Sequence, residues 1–191
     1  MIRHLGLKAY GKINLGLDVL GKREDGYHEV RMIMQTVGLY DKIDLYLKET
    51  PGITVETNLY YLPVNENNLV YKAAKLLMDE FHINHGVTIH LKKFIPVSAG
   101  MAGGSSDAAA VLFGVNKMFN LGLSMEDLMK RGVKIGADVP YCVMRGTALS
   151  EGIGEILTPL PPVPQWQVLI AKPGISVSVK FGDEHLDAAF C

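Results

Sequence analysis

Apolar and polar residues alternate along residues 5–10 and again along residues 13–19, the period-two pattern of half-buried strands. The pattern resumes over residues 30–39 and 43–47. Between these runs, Asp25-Gly26 is a turn signal. Residues 53–57 and 87–91 read as two further short strands. In Leu69-Val70-Tyr71-Lys72-Ala73-Ala74-Lys75-Leu76-Leu77-Met78 the period changes. Apolar positions recur at three and four residues, so an amphipathic helix is expected, entered from the loop Asn65-Glu66-Asn67-Asn68. Further helices are expected over residues 107–119 and 125–134, the second opened by Ser124 and Asp127 in the manner of a capping box. Residues 149–157 read as a hairpin-like return. Leu160-Pro161-Pro162-Val163-Pro164 is a stiff linker and the best domain boundary. One more strand is expected over residues 166–171, and residues 180–191 read as the beginning of a helix.

The rest of the chain is organised around Pro96-Val97-Ser98-Ala99-Gly100-Met101-Ala102-Gly103-Gly104-Ser105-Ser106-Asp107-Ala108-Ala109-Ala110. A strand leads into this stretch and an Ala-rich helix leaves it. Gly100, Gly103 and Gly104 leave the backbone nearly bare, free to take positive φ and to approach a ligand. Ser105 is the expected N-cap, and the helix start behind it offers unpaired N–H groups and a positive dipole end. Together these make an anion site, most plausibly for phosphate. Ser105 and Ser106 add hydroxyls able to reach a phosphate oxygen or its Mg²⁺. Gly-Gly-Ser-Ser is also common in plain linkers, and its place between strand and helix is what favours phosphate. The P-loop lysine, the dinucleotide fingerprint and the protein-kinase signatures are all absent.

Composition narrows the setting. The 191 residues are 48% hydrophobic and 20% charged, with net charge −1, an ordinary soluble balance. No nucleic-acid partner is indicated, since no basic block occurs, and no run is apolar enough to span a membrane. Met1-Ile2-Arg3-His4 opens no signal peptide, and Cys142 and Cys191 form neither a metal spacing nor a disulfide framework, so a cytoplasmic setting is expected. Five single positions carry candidate chemistry. Lys12, between two strand runs, is either a solvated lysine or a cation for a phosphate or an acid. Tyr27 and His28, beside the turn, could stack on and read a flat heterocycle, or stand as surface residues. Lys93 lies just before the glycine loop. Asp138, among apolar neighbours in Gly136-Ala137-Asp138-Val139-Pro140, is a general-base candidate or a turn residue.

Read together, Ala9-Tyr10-Gly11-Lys12-Ile13-Asn14-Leu15, the Asp25-Gly26-Tyr27-His28 turn, the glycine loop, Gly136–Pro140 and Lys172-Pro173-Gly174 closely resemble the GHMP small-molecule kinases over residues 5–178. The first pair of motifs narrows the likeness to the branch that phosphorylates the 2-hydroxyl of a cytidine diphosphate-linked methylerythritol, with ATP and Mg²⁺, on the non-mevalonate route to isoprenoids. The resemblance implies that Asp138 is the catalytic base and Lys12 its partner. It places Asn68, Lys93, Pro96, Gly100, Met101, Ala102, Gly103, Gly104, Ser105 and Ser106 around the ATP, with Ser106 toward the Mg²⁺. It places Asn14, Tyr27 and His28 on the substrate side. The implied fold is α+β: an ATP-binding N-terminal domain over residues 1–160, like domain 2 of ribosomal protein S5, then the start of an incomplete ferredoxin-like C-terminal domain over residues 161–191. A homodimer is left open. Family members are considerably longer. After Ile175-Ser176-Val177-Ser178 this chain has Val179 where the family has Thr, and Asp183 near the place of a stacking aromatic. The alternatives carried forward are another GHMP kinase, for homoserine, mevalonate or a sugar, and a nucleotide-binding remnant without catalysis.

Overall fold

The computed structural model describes residues 1–24 and 26–172. Asp25, the Pro173-Gly174 pair, the departures at Val179 and Asp183 and the helix expected over residues 180–191 lie outside the described residues.

Two long strands form the frame. β1 (His4–Lys22) and β2 (His28–Lys48) pair antiparallel along their whole length, joined by a turn in which the Arg23 N–H bonds the Tyr27 carbonyl. The four strand runs read from the sequence are therefore two. What looked like breaks are register shifts. Between Tyr10 and Lys12 of β1, the partner strand advances from Tyr40 to Thr36, so β2 bows out by two extra residues; Leu15 and Leu20 are the extra residues of two further bulges in β1. A bulge changes which side chains face which way. Ahead of the first one, Ala9 and Gly11 face the core; beyond it, Lys12 and Asn14 face that same side.

The second edge of β2 is divided between two partners. β3 (Gly52–Thr57) crosses through α1 (Leu69–Glu80) to the parallel strand β4 (Gly86–Lys92), and β4 pairs with residues 42–48 of β2. Near the end of the described residues, β5 (Thr147–Glu151) pairs with residues 32–35 of β2 and then with β6 (Ile156–Pro159). Residues 37–41 of β2 thus lie in a fork between β4 and β5.

The helices pack on one face of this sheet. α2 (Gly103–Phe119) is the central one, buried nearly all round by Ala108, Val111, Leu112, Val115 and Met118, as expected of a helix apolar on every side. Gly114 lets it lie close to the strands: a Cβ there would fall 2.3 Å from Leu45 Cδ1 and 2.7 Å from Leu7 Cδ1. α3 (Met125–Gly132) opens with the capping box read from the sequence, Ser124 and Asp127 each bonding the other's backbone N–H. α4 (Val139–Met144) follows, with Pro140 in its first turn, where the missing N–H costs nothing. No described helix is long and apolar enough to cross a membrane.

Two sequence expectations are corrected. α2 begins at Gly103, four residues earlier than expected, and Ser105 is inside it; the residue at the cap position is Ala102, left-handed at φ 52° and ψ 30°, with no side-chain cap bond. The glycines are consumed by tight packing: a Cβ on Gly103 would meet Ile95 Cγ2 and Lys93 Nζ, both at 3.1 Å. Secondly, residues 166–171 form no strand. The last ladder-like bond is from the Leu160 N–H to Thr147. Pro161, Pro162 and Pro164 then lack the N–H a ladder needs, and Leu169 stands 95% exposed. Residues 163–166, Val168 and Ile170 instead border a space of about 620 Å³ against Ile13, Leu15 and residues 35–39.

Candidate functional site

The glycine loop, residues 96–102, runs from β4 to α2 through three left-handed residues: Ser98 (φ 55°), Gly100 (φ 69°) and Ala102 (φ 52°). Two of these carry a Cβ, an arrangement that costs of order 1 kcal/mol each and persists only when the surroundings enforce it. At its far end the first helical bond of α2 runs from the Ser106 N–H to the Ala102 carbonyl, at 2.8 Å. The N–H groups of Gly103, Gly104 and Ser105 are left without intrahelical acceptors, and no acidic side chain lies in the first turn. They point an unopposed dipole end at whatever the loop encloses.

The loop forms one wall of a cavity of about 790 Å³. Lys12 and Asn14 reach it from β1, Asn68 from the start of α1, Lys93 from the end of β4, and Asp138 from the residue before α4. Pro96 and every residue from Gly100 to Ser105 also line it. The sequence candidates, up to 126 positions apart (138 − 12), thus meet at one place. The β2 bow at the first bulge explains how Lys12 arrives. Its N–H is not bonded to β2 but donates to the Met101 carbonyl at 3.0 Å, so the loop stands in for the missing strand partner.

The details correct several expected roles. Lys12 and Asp138 share the cavity but are not an ion pair: the Lys12 ammonium donates to Asn14 Oδ1 at 3.1 Å, and the Asp138 carboxylate makes no hydrogen bond or ion pair among the described residues. Ser106 does not line the cavity. It is 3% exposed, and its hydroxyl donates to the Tyr10 carbonyl at 2.6 Å, which turns it from the expected Mg²⁺ position toward the sheet. The Asn68 side chain is committed to structure, accepting from the Val70 N–H at 3.1 Å and donating to the Pro63 carbonyl at 2.7 Å. Tyr27, 60% exposed, and His28 are not on the cavity wall. They sit at the tip of the β1–β2 hairpin, where His28 is opposite Lys22, about 16 Å along β1 from Leu17, the last β1 residue that lines the cavity. Cys142 is the core filler its neighbours suggested: burial pushes its thiol up, with the Asp138 charge adding to the effect.

Under the loop lies a buried charge cluster that the motifs did not announce. Lys93 Nζ donates to Asp107 Oδ2 at 2.6 Å and also to Asp41 Oδ2. Asp41, Lys93 and Asp107 are 0%, 8% and 2% exposed. Burial, opposed by Lys93 and reinforced by Asp41, holds the Asp107 carboxyl well above the usual carboxylate range. Its Oδ1 is buried without a partner, and the residue lines the cavity. The sequence did hold a signal for Asp41. It occupies the same face of β2 as Ile43 and Leu45, both fully buried, so it is a carboxylate in a core-facing slot of a period-two pattern.

The family model described as the GHMP kinases N terminal domain matches residues 68–146. A 4-diphosphocytidyl-2-C-methyl-D-erythritol kinase of Lachnoclostridium phytofermentans is 65% identical over 182 residues, 95% of this chain and 62% of that protein. The kinase of that name from Clostridium perfringens is 56% identical over 95% of this chain and 63% of its own length. This chain therefore spans a little over three fifths of the length of the curated relatives it matches. Among solved structures, a 4-(cytidine 5'-diphospho)-2C-methyl-D-erythritol kinase superposes with a TM-score of 0.70 at 36% identity, covering 82% of this chain and 55% of the other. A homoserine kinase from Cytophaga hutchinsonii superposes with a TM-score of 0.75 at 19% identity, over 100% and 62% of the two chains, which speaks for the fold alone.

Proposed function

We propose that this chain belongs to the GHMP kinases and carries the ATP-binding side of a kinase that phosphorylates the 2-hydroxyl of 4-diphosphocytidyl-2-C-methyl-D-erythritol. The observation that carries this reading is the meeting of Lys12, Asp138 and the free N–H groups of Gly103 to Ser105 on one cavity. Residues 1–160 are the ATP-binding domain in this reading, and residues 161–191 begin the second.

Phosphoryl transfer asks for positioning and charge stabilisation more than for covalent chemistry. The bare amides of the loop hold the triphosphate oxygens without reorganising. Asp138 takes the proton of the 2-hydroxyl as that oxygen bonds to the γ-phosphorus and the bond to ADP breaks. Lys12 faces the same cavity and balances the negative charge that grows during transfer. Asn14, held at 3.1 Å by Lys12, faces the same space and supplies an amide for the polyol. In this reading Tyr27 and His28, at the hairpin tip, would meet the cytosine end of a long ligand.

Magnesium prefers one or two protein oxygens together with phosphates and waters. In this reading the Mg²⁺ would arrive on the nucleotide's phosphates. Ser105, on the cavity wall, would offer it a hydroxyl, and the ion would neutralise phosphate charge.

The test is a coupled ADP-release assay with the cytidyl substrate beside homoserine and mevalonate. Turnover of the cytidyl substrate alone supports the reading, and turnover of homoserine or mevalonate instead overturns it. Asp138→Asn is expected to lower that turnover by about a hundredfold or more, the scale of general-base catalysis, while ATP binding measured by calorimetry stays within about threefold. Equal turnover in both proteins would remove Asp138 from the role of base. ATP binding without turnover of any substrate leaves only the nucleotide-holding half.

A further inference from the structure

We propose that Asp41 is the positioning residue of the glycine loop: from β2 it fixes the backbone that enters the loop and, through one shared ammonium, the helix that leaves it. The proposal rests on the nucleotide reading for its purpose, though not for its geometry. Asp41 Oδ1 accepts the N–H of Ile95 at 2.8 Å and also that of Phe94. Its Oδ2 takes Lys93 Nζ, and the same Nζ reaches Asp107 Oδ2 at 2.6 Å. Asn58 completes the entry, accepting from the Lys93 N–H at 2.8 Å and donating to the Lys93 carbonyl at 3.2 Å. Three successive backbone N–H groups, of residues 93, 94 and 95, are therefore held by two side chains and by no strand.

Those residues lie where β4 has left β2: the last ladder pair is Lys42 with Lys92. Asp41, one residue on, replaces the lost ladder with its carboxylate. Lys93 and Asp107 are 14 positions apart and bracket the loop. Between the brackets lie the left-handed residues Ser98, Gly100 and Ala102, a shape that local preference disfavours and that must be imposed from outside. Asp41, Lys93 and Asp107 are buried, so water competes little for the bonds among them. A loop already in its binding shape loses less entropy when a phosphate arrives.

The experiment uses the whole 191-residue chain with Asp41→Ala and Asp41→Asn. The asparagine keeps an oxygen for the Phe94 and Ile95 amides but presents an NH₂ group to the Lys93 ammonium, and it is the deciding variant if the alanine does not fold. Backbone amide exchange, read by mass spectrometry, is expected to quicken about tenfold in residues 97–105 of folded Asp41→Asn while α1 and β4 keep their rates. The dissociation constant of a fluorescent ATP analogue is expected to rise about threefold in Asp41→Asn and about tenfold in Asp41→Ala, at matched folded fraction. A role in global stability alone would lower the melting temperature and quicken exchange everywhere, with the dissociation constant unmoved, and that result overturns the proposal. So does unchanged exchange in residues 97–105 of the folded asparagine variant. If the unsubstituted chain binds no ATP, the nucleotide reading fails on its own, and the exchange pattern still decides whether Asp41 shapes the loop.

Discussion

At the scale of single residues, Asp107 ties the chemistry of the site to the stability of the protein. Its carboxyl is raised in the folded state, chiefly by burial, with Lys93 opposing and Asp41 reinforcing. A folded-state value above the unfolded one means that the folded protein holds the proton longer. The stability this contributes is complete below the unfolded value of about 3.9 and is lost as pH rises through the folded value. Asp107→Asn cannot ionise. Its melting temperature is expected to match that of the unsubstituted chain near pH 4 and to exceed it increasingly toward pH 8; melting curves that stay parallel over that range would contradict the shift. Legibility at this scale was uneven. Lys12, Asp138 and the loop were visible because motif and spacing marked them. Asp41 was passed over because it fell between the strand runs read over residues 30–39 and 43–47, although it keeps the period of Ile43 and Leu45. Ser106 was misread because a serine beside a glycine loop looks the same in sequence whether it faces phosphate or a carbonyl of the next strand.

At the scale of elements, α2 decides where the loop ends. It lies against β1 and β2 at a distance only glycine permits at position 114, where an added Cβ would fall 2.3 Å from Leu45 Cδ1. Gly114→Ala gains helix propensity but overfills this contact. A net loss of about 1–3 kcal/mol is expected, seen as a lower urea midpoint with an unchanged slope, and a midpoint at or above that of the original chain would show that the sheet yields there. The helices were legible in outline, since α1 and α3 have amphipathic spacing and clear caps. The start of α2 was not. Its glycines suggested a loop because they lack helix propensity, whereas at Gly103 close packing against Ile95 and Lys93 leaves little room for a Cβ inside the helix. The strands were legible as apolar alternation but not as two continuous ribbons, because a bulge breaks period two without ending a strand.

At the scale of the molecule, the apolar surface is extensive. Leu15, Leu17, Leu20, Ile33 and Leu39 of the β1–β2 hairpin are 37–55% exposed, and Trp166 is 59% exposed. Exposed apolar groups gathered on one hairpin favour association. Sedimentation is therefore expected to show mass rising with concentration, and Leu20→Lys to reduce the rise; a strictly monomeric chain at about 100 μM, where contacts worth about 5.5 kcal/mol would half-populate a dimer, would count against it. The fold was readable before any coordinates; of the expected site residues, Lys12, Asn14, Asn68, Lys93 and Asp138 do line one cavity with the loop, while Ser106, Tyr27 and His28 do not. The strand expected over residues 166–171 failed because a strand is a property of a pair, and the prolines ahead of it lack the N–H groups that would carry the pairing on from Leu160. The divided edge of β2 has a last consequence. The stretch that carries the glycines is wedged where two half-sheets part, with Met101 serving as a strand's neighbour to Lys12. Cutting it out and grafting it onto another scaffold would transfer its letters and lose its form, while the donor protein, deprived of its wedge, would be left with raw edges on both sides of the gap.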